Sequence, residues 1–179
     1  MIMPFLIAAA VVILDQLSKY AVKANMSLGE SFNLIKYILD IHYIENKGAS
    51  FGMLKDHRWV FMILSGVALV LMAAAIIYLG RKKLEKDNMY INMALGLMFG
   101  GGIGNMIDRF ANSSVAEPGT KAVVDFLEFA FVDFATFNVA DSFICIGSVL
   151  FGIFMLAGKY RLKDAKDTEA PKDGGEIAS

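Results

Sequence analysis

The chain is short of the residues that staple, ligate or break a backbone: one cysteine, two histidines and three prolines in 179 residues. A single thiol, Cys145, excludes an intrachain disulfide and a cysteine-rich zinc site. It sits in an apolar stretch, where packing is its expected role. His42 and His57 stand apart, and neither an HExxH sequence nor a phosphate loop occurs. Net charge is lacking too. Lys and Arg number 17 against 18 Asp and Glu, a formal charge of −1, so nothing argues for a nucleic-acid partner. What the chain has in excess is apolar surface. It is 56% hydrophobic with mean hydropathy +0.54, well above a soluble domain. Its length suits one domain.

Four stretches read as membrane spans, at about 2–24, 59–79, 89–107 and 137–158. A hydrocarbon core of roughly 30 Å needs about 20 helical residues, and each stretch reaches that. The first has no basic residues ahead of its apolar run and carries Asp15, Gln16 and Lys19 behind it, unlike a cleavable leader. The second is uncharged and has Trp59 and Tyr78 near its ends, where interfacial aromatics belong. Arg81, Lys82, Lys83 and Lys86 crowd the short link at 80–88, and Lys159, Arg161, Lys163, Lys166 and Lys172 the segment after the fourth span. Both lie on one side of a four-span chain. The positive-inside rule puts them, and both termini, in the cytoplasm, with the longer loops 25–58 and 108–136 outside.

These outer loops are patterned. Phe32 and Leu34, then Leu39, Ile41 and Tyr43, alternate with Asn33, Asp40 and His42. In the second loop, VVDFLEFAFVDFATF is aromatic and β-branched after the turn-rich ANSSVAEPGTK. Both predict short strands in a small sheet on the outer membrane surface; interfacial amphipathic helices are the alternative. In the third span Gly96, Gly100 and Gly104 recur every four residues, which suits close helix packing. The polar stretch 163–179 is expected to be a disordered cytoplasmic tail, leaving 1–162 as the membrane domain.

The polar residues gather at one level. Asp15 and Lys19 share a helix face; Asn46 precedes the second span; Asn105, Asp108 and Arg109 end the third; Asn138 and Asp141 begin the fourth, with Asp125 shortly before. Taken singly, each has an ordinary explanation. Asp15 and Lys19 neutralise each other, Asp108 and Arg109 form an interfacial pair, Asn138 caps a helix, and Asp141 suits a helix dipole. Together, so many polar groups at one level exceed what packing needs. Carboxylates near hydrocarbon are costly, and two in one low-dielectric site share a proton, as in aspartic proteases. A small ion- or proton-coupled transporter would spread polar groups through the membrane depth and show an internal repeat; neither is visible. A non-catalytic membrane scaffold is the other alternative.

The blocks DQLSK (15–19), NKGASFG (46–52), GNMIDR (104–109), VVDF (123–126) and FNVADS (137–142), in this order, resemble the lipoprotein signal peptidase (signal peptidase II) family. Ser50 stands where the family often has alanine. The resemblance runs from about residue 15 to 158. It implies a membrane all-α fold with a small β element: four transmembrane helices and an outward-facing β-sheet cradle. It implies an aspartic endopeptidase of the bacterial cytoplasmic membrane, acting at its outer face. The substrate would be a diacylglyceryl-modified prolipoprotein, cut just before its lipidated cysteine. The catalytic residues would be Asp125 and Asp141. Asp15, Lys19, Asn46, Gly48, Gly104, Asn105, Asp108, Arg109, Asn138 and Ala140 would bind substrate or support the site. No metal or other cofactor is implied, and a monomer is expected.

Overall fold

In a computed structural model, which describes residues 2–47, 58–81 and 89–168, the elements follow the order α1 (Met3–Asn25), β1 (Ser31–Ile35), β2 (Leu39–Asn46), α2 (Arg58–Arg81), α3 (Met89–Ala111), β3 (Val123–Phe129) and α4 (Val139–Thr168). α3 is the central helix, with α1, α2 and α4 packed on it. Its glycines make this possible. A Cβ at Gly100 would lie 2.7 Å from the Ala8 carbonyl oxygen of α1, and one at Gly101 would lie 2.5 Å from that of Ala140 in α4. Backbones approach this closely only where side chains are absent.

Among the described residues, three helical stretches, Met3–Asn25, Met62–Arg81 and Val139–Leu156, are long and apolar enough to cross a membrane. The expectation of four spans is thus met at three. α3 has the length but is diluted by Asn92, Asn105 and its glycines, as suits a helix that faces other helices. The outer helices are different. Leu6 and Leu17 on α1, Val67 and Val70 on α2, and Val149 and Leu156 on α4 are all more than half exposed. Apolar surface this extensive calls for a lipid solvent. α4 continues as helix to Thr168.

The sheet is antiparallel in the order β1-β2-β3. Tyr37, at φ +65°, turns the chain between β1 and β2. β3 takes only the first part of the aromatic stretch. After Phe129 the chain leaves the sheet, and Phe137 returns to bridge Leu127. Phe129, Phe134 and Phe137 pack together in this return. Ile41, Tyr43, Val124 and Phe126 form a buried cluster closed by Val22 of α1 and by Met26 just after it. On the sheet's other face, Ile44 pairs with Asp125 and Asn46 with Val123. Asn46 and Asp125 are therefore diagonal neighbours on one face.

Candidate active site

The site is built in two layers. The inner layer is charged and fully buried. Asp15 is 0% and Lys19 3% exposed. Lys19 Nζ lies 2.8 Å from Asp15 Oδ2 and 3.0 Å from Asp108 Oδ2, and donates to Asn105 Oδ1 at 3.0 Å. The expected Asp15–Lys19 pair is present, but Lys19 is shared. Asp108 faces Lys19, and Arg109 Nη1 donates to the Asn105 carbonyl oxygen at 3.1 Å. Two carboxylates on one ammonium need further donors. The Ala140 N–H supplies one to Asp15 Oδ1 at 3.0 Å, and the Val124 N–H one to Asp108 Oδ2 at 3.2 Å. Gln16 supplies more, reaching Asp15, Asp108 and the Gly104 carbonyl. Gly104 leaves room for this layer, since a Cβ there would lie 2.5 Å from Asp15 Oδ2. The layer ties α1 and α3 to β3 and to the first turn of α4.

The outer layer holds the two aspartates. Asp125 is 2% exposed. Its Oδ2 accepts from Asn46 Nδ2 at 2.9 Å, and its Oδ1 from Asn138 Nδ2 at 2.7 Å. Asn138 is also the N-cap of α4, as its ordinary reading foresaw. Its Oδ1 accepts the Asp141 N–H at 3.0 Å, while its own N–H donates to Asp141 Oδ2 at 3.2 Å. This reciprocal cap leaves the amide free to reach the other aspartate, so one asparagine touches both acids. Asn105 Nδ2 donates to Asp141 Oδ1 at 2.7 Å. Burial, and after it the Asp141 carboxylate, push Asp125 up to about 7; the bonds from Asn46 and Asn138 and the charge of Lys19 oppose the rise.

Both acids line one cavity of about 790 Å³, together with Asn46, Asn105 and Arg109. Most of its wall is apolar: Leu69 and Met72 from α2, Met98 from α3, Ile144 from α4, and Phe129 and Phe134 from the outer aromatic cluster. Of the residues expected at the site, Asp15, Lys19, Asn46, Gly104, Asn105, Asp108, Arg109, Asn138 and Ala140 are brought together with Asp125 and Asp141. Gly48 lies outside the described residues. Gln16 is an addition. Its position beside Asp15 was visible in the sequence, but its reach to α3 was not.

A carboxylate pair held by asparagines, at the mouth of an apolar cavity among membrane helices, is the layout of a membrane-embedded hydrolase. The family model described as signal peptidase (SPase) II matches residues 7–157. A lipoprotein signal peptidase of Brevibacillus brevis is 36% identical over 159 residues, which are 88% of this chain and 98% of that protein. One of Caldanaerobacter subterraneus subsp. tengcongensis is 39% identical over 155 residues, 86% of this chain and 96% of that protein. A bacterial membrane enzyme solved by the in meso method superposes with a TM-score of 0.67 at 31% identity, covering 98% of this chain and 94% of its own. The chain belongs to the signal peptidase II family. It is a multi-pass membrane aspartic peptidase that removes signal peptides from prolipoproteins.

Proposed function

We propose that Asp125 and Asp141 carry out this reaction on diacylglyceryl-modified prolipoproteins, cutting just before the lipidated cysteine. The observation that carries the reading is the single asparagine, Asn138, bonded to both acids at the edge of an apolar cavity. α3 is the fourth span. The Lys and Arg bias places both termini in the cytoplasm and the sheet with its acids at the outer face of the bacterial cytoplasmic membrane.

The pair holds one proton between two apparent titrations. Asp125, raised to about 7, keeps it. Asp141, whose oxygens accept from Asn105 and from the N–H of Asn138, is the partner that acts as base. Asp141 takes a proton from water, and the water oxygen attacks the scissile carbonyl carbon. Asp125 donates its proton to the carbonyl oxygen as the tetrahedral intermediate forms. The C–N bond then breaks as the proton gained by Asp141 goes to the leaving amine, and one hydroxyl proton of the intermediate returns to Asp125 as the new carboxyl group forms. Arg109 and Asn46 border the cavity beside the acids, where they can hold the substrate backbone. Asp15, Lys19, Asp108, Gly104 and Ala140 are bonded or packed to one another in the inner layer. Their role is to fix α1, α3, β3 and α4 in register.

The apolar wall sets the substrate's lipid requirement. Two acyl chains against α2 and α4 hold the modified cysteine at the depth of the acids. Such positioning lowers a barrier by up to roughly 7–11 kcal/mol when geometry is ideal. Lipidated and unlipidated precursor, assayed at equal concentration in the same bilayer, should differ by on the order of 100-fold or more in rate. Equal rates would sink the substrate assignment. For orientation, cysteines placed at Lys83 and Thr120 should react with an impermeant reagent on intact cells only at position 120.

A further inference from the structure

Asn46 donates to Asp125, and its two neighbours in the chain both point away from the site and grip the same turn. Glu45 Oε2 accepts from Ser114 Oγ at 2.6 Å, and the two Glu45 oxygens accept from the Val115 N–H at 2.8 and 3.0 Å. The Ala116 N–H adds a longer bond at 3.3 Å. On the other side of Asn46, Lys47 Nζ lies 2.6 Å from Glu117 Oε1. The turn at 114–117 follows α3, and its base is tied back to the end of that helix: the Ala122 N–H donates to the Asn112 carbonyl oxygen, and Lys121 Nζ donates to the Ala111 carbonyl oxygen and to Ser113 Oγ. The end of β2 is thereby fastened to the end of α3, the helix that supplies Asn105, Asp108 and Arg109. We infer that Glu45, which touches neither acid, is a positioning residue that fixes the height and direction of the Asn46 amide at Asp125. The inference rests on the reading of Asp125 as catalytic.

Three observations separate this from an ordinary loop staple. A strand end is free to twist about its last residues, and Asn46 is the last residue of β2. The Glu45 carboxylate collects a hydroxyl and two backbone N–H groups, a larger set than a surface turn needs. These donors, with Lys23 from α1, hold its carboxyl below the usual range although burial works the other way. It therefore keeps its charge and its grip through the range in which the acids titrate. The groups facing it are Lys23 on α1 and Tyr43 on its own strand. Burial and the Glu45 carboxylate push the Tyr43 phenol up to about 12, so it remains neutral. The charged groups facing Asp125 are Asp141 on α4 and Lys19 on α1. None of these groups is bonded to both Glu45 and Asp125; besides the β2–β3 ladder itself, the side-chain route from Glu45 to Asp125 is the Asn46 amide.

The test is a cycle of Glu45→Gln, Asn46→Ala and the double variant, read as kcat, KM and the pH profile on lipidated precursor. Asn46 holds Asp125 down, so Asn46→Ala should move the titration of the acid upward. Glu45→Gln should move it in the same direction and lower kcat on the order of tenfold, with KM changed less than about twofold. In the double variant Glu45→Gln should add little to Asn46→Ala. Ser114→Ala, which removes one bond of the set, should give a smaller effect of the same kind and keeps the test open if Glu45→Gln fails to fold. A moved profile for Asn46→Ala with an unmoved one for both Glu45→Gln and Ser114→Ala would overturn this inference alone. Full additivity in the cycle would also overturn it. An unmoved profile for Asn46→Ala would overturn the reading of Asp125, and this inference with it.

Discussion

Replacing Asp125 by Asn should abolish cleavage and, at alkaline pH, make the protein more stable. The folded chain raises this acid from 3.8 to about 7, chiefly through burial and then the Asp141 carboxylate. Between those values the native state holds a proton that the unfolded chain has released. Stability therefore falls as pH rises through this window, by up to about 1.4 kcal/mol per pH unit, and levels off above about pH 7. The ionised form is handicapped by about 4 kcal/mol in total, an order-of-magnitude figure. Asparagine carries no such handicap. It offers one acceptor oxygen where Asn46 and Asn138 each donate to a separate oxygen, so one neighbour must turn its amide or lose its bond, at about 1–2 kcal/mol. The net gain is about 2–3 kcal/mol at pH 8 and about zero at pH 5. Thermal unfolding in detergent at the two pH values reads this directly. At roughly 2–4 °C per kcal/mol for a chain of this size, the variant should melt about 5–10 °C higher at pH 8 and close to wild type at pH 5. The same shift at both pH values, or a loss at pH 8, would refute the claim that a buried, proton-holding carboxyl stands at 125.

Two further outcomes test the framework. Lys19→Met leaves Asp15 and Asp108 buried without their common cation and should destabilise the protein by about 3–5 kcal/mol; adding Asp108→Asn should return part of this, read by thermal melting. Gly101→Ala sets a Cβ 2.5 Å from the Ala140 carbonyl oxygen and 2.7 Å from Ile144 Cγ1, and should cost about 1–3 kcal/mol with a loss of activity, because it spreads α3 from the turn of α4 that carries Asn138 and Asp141. Gly66→Ala, with nothing within 4 Å of the added Cβ, is the control and should stabilise by roughly 1 kcal/mol.

The helices were legible because lipid demands unbroken apolar runs, and the strands because alternation survives in a half-buried sheet. Boundaries were harder. The aromatic run after Phe129 has strand-like composition, yet it leaves the sheet because Phe134 and Phe137 pack around Phe129 at the cavity wall. α3 was legible as a helix but not as the central one; only the contacts of Gly96, Gly100 and Gly101 with two different helices reveal that. The site residues could be named from their shared level and family pattern, but their partners could not. Asp108 and Arg109 are adjacent in sequence and turn to different neighbours, since successive helical residues point about 100° apart. Short patterns carry little alone: residues 48–52 spell GASFG, which satisfies GxSxG, but that pattern has meaning only on a strand-to-helix turn with a suitably placed histidine; His42 is bonded to Glu128 on the sheet, and His57 lies outside the described residues.

The central claim is that two aspartates, one from β3 and one from α4, act as a single hydrolytic unit. The most direct measurement is single-turnover cleavage of a lipidated precursor by purified protein, with the cut bond mapped by mass, for wild type, Asp125→Asn, Asp141→Asn and the double variant. The account predicts one cut, just before the lipidated cysteine, and its loss by on the order of 10³-fold or more in either single variant, with the double variant no worse than the singles. Wild-type turnover in the folded Asp125→Asn or Asp141→Asn protein would contradict it.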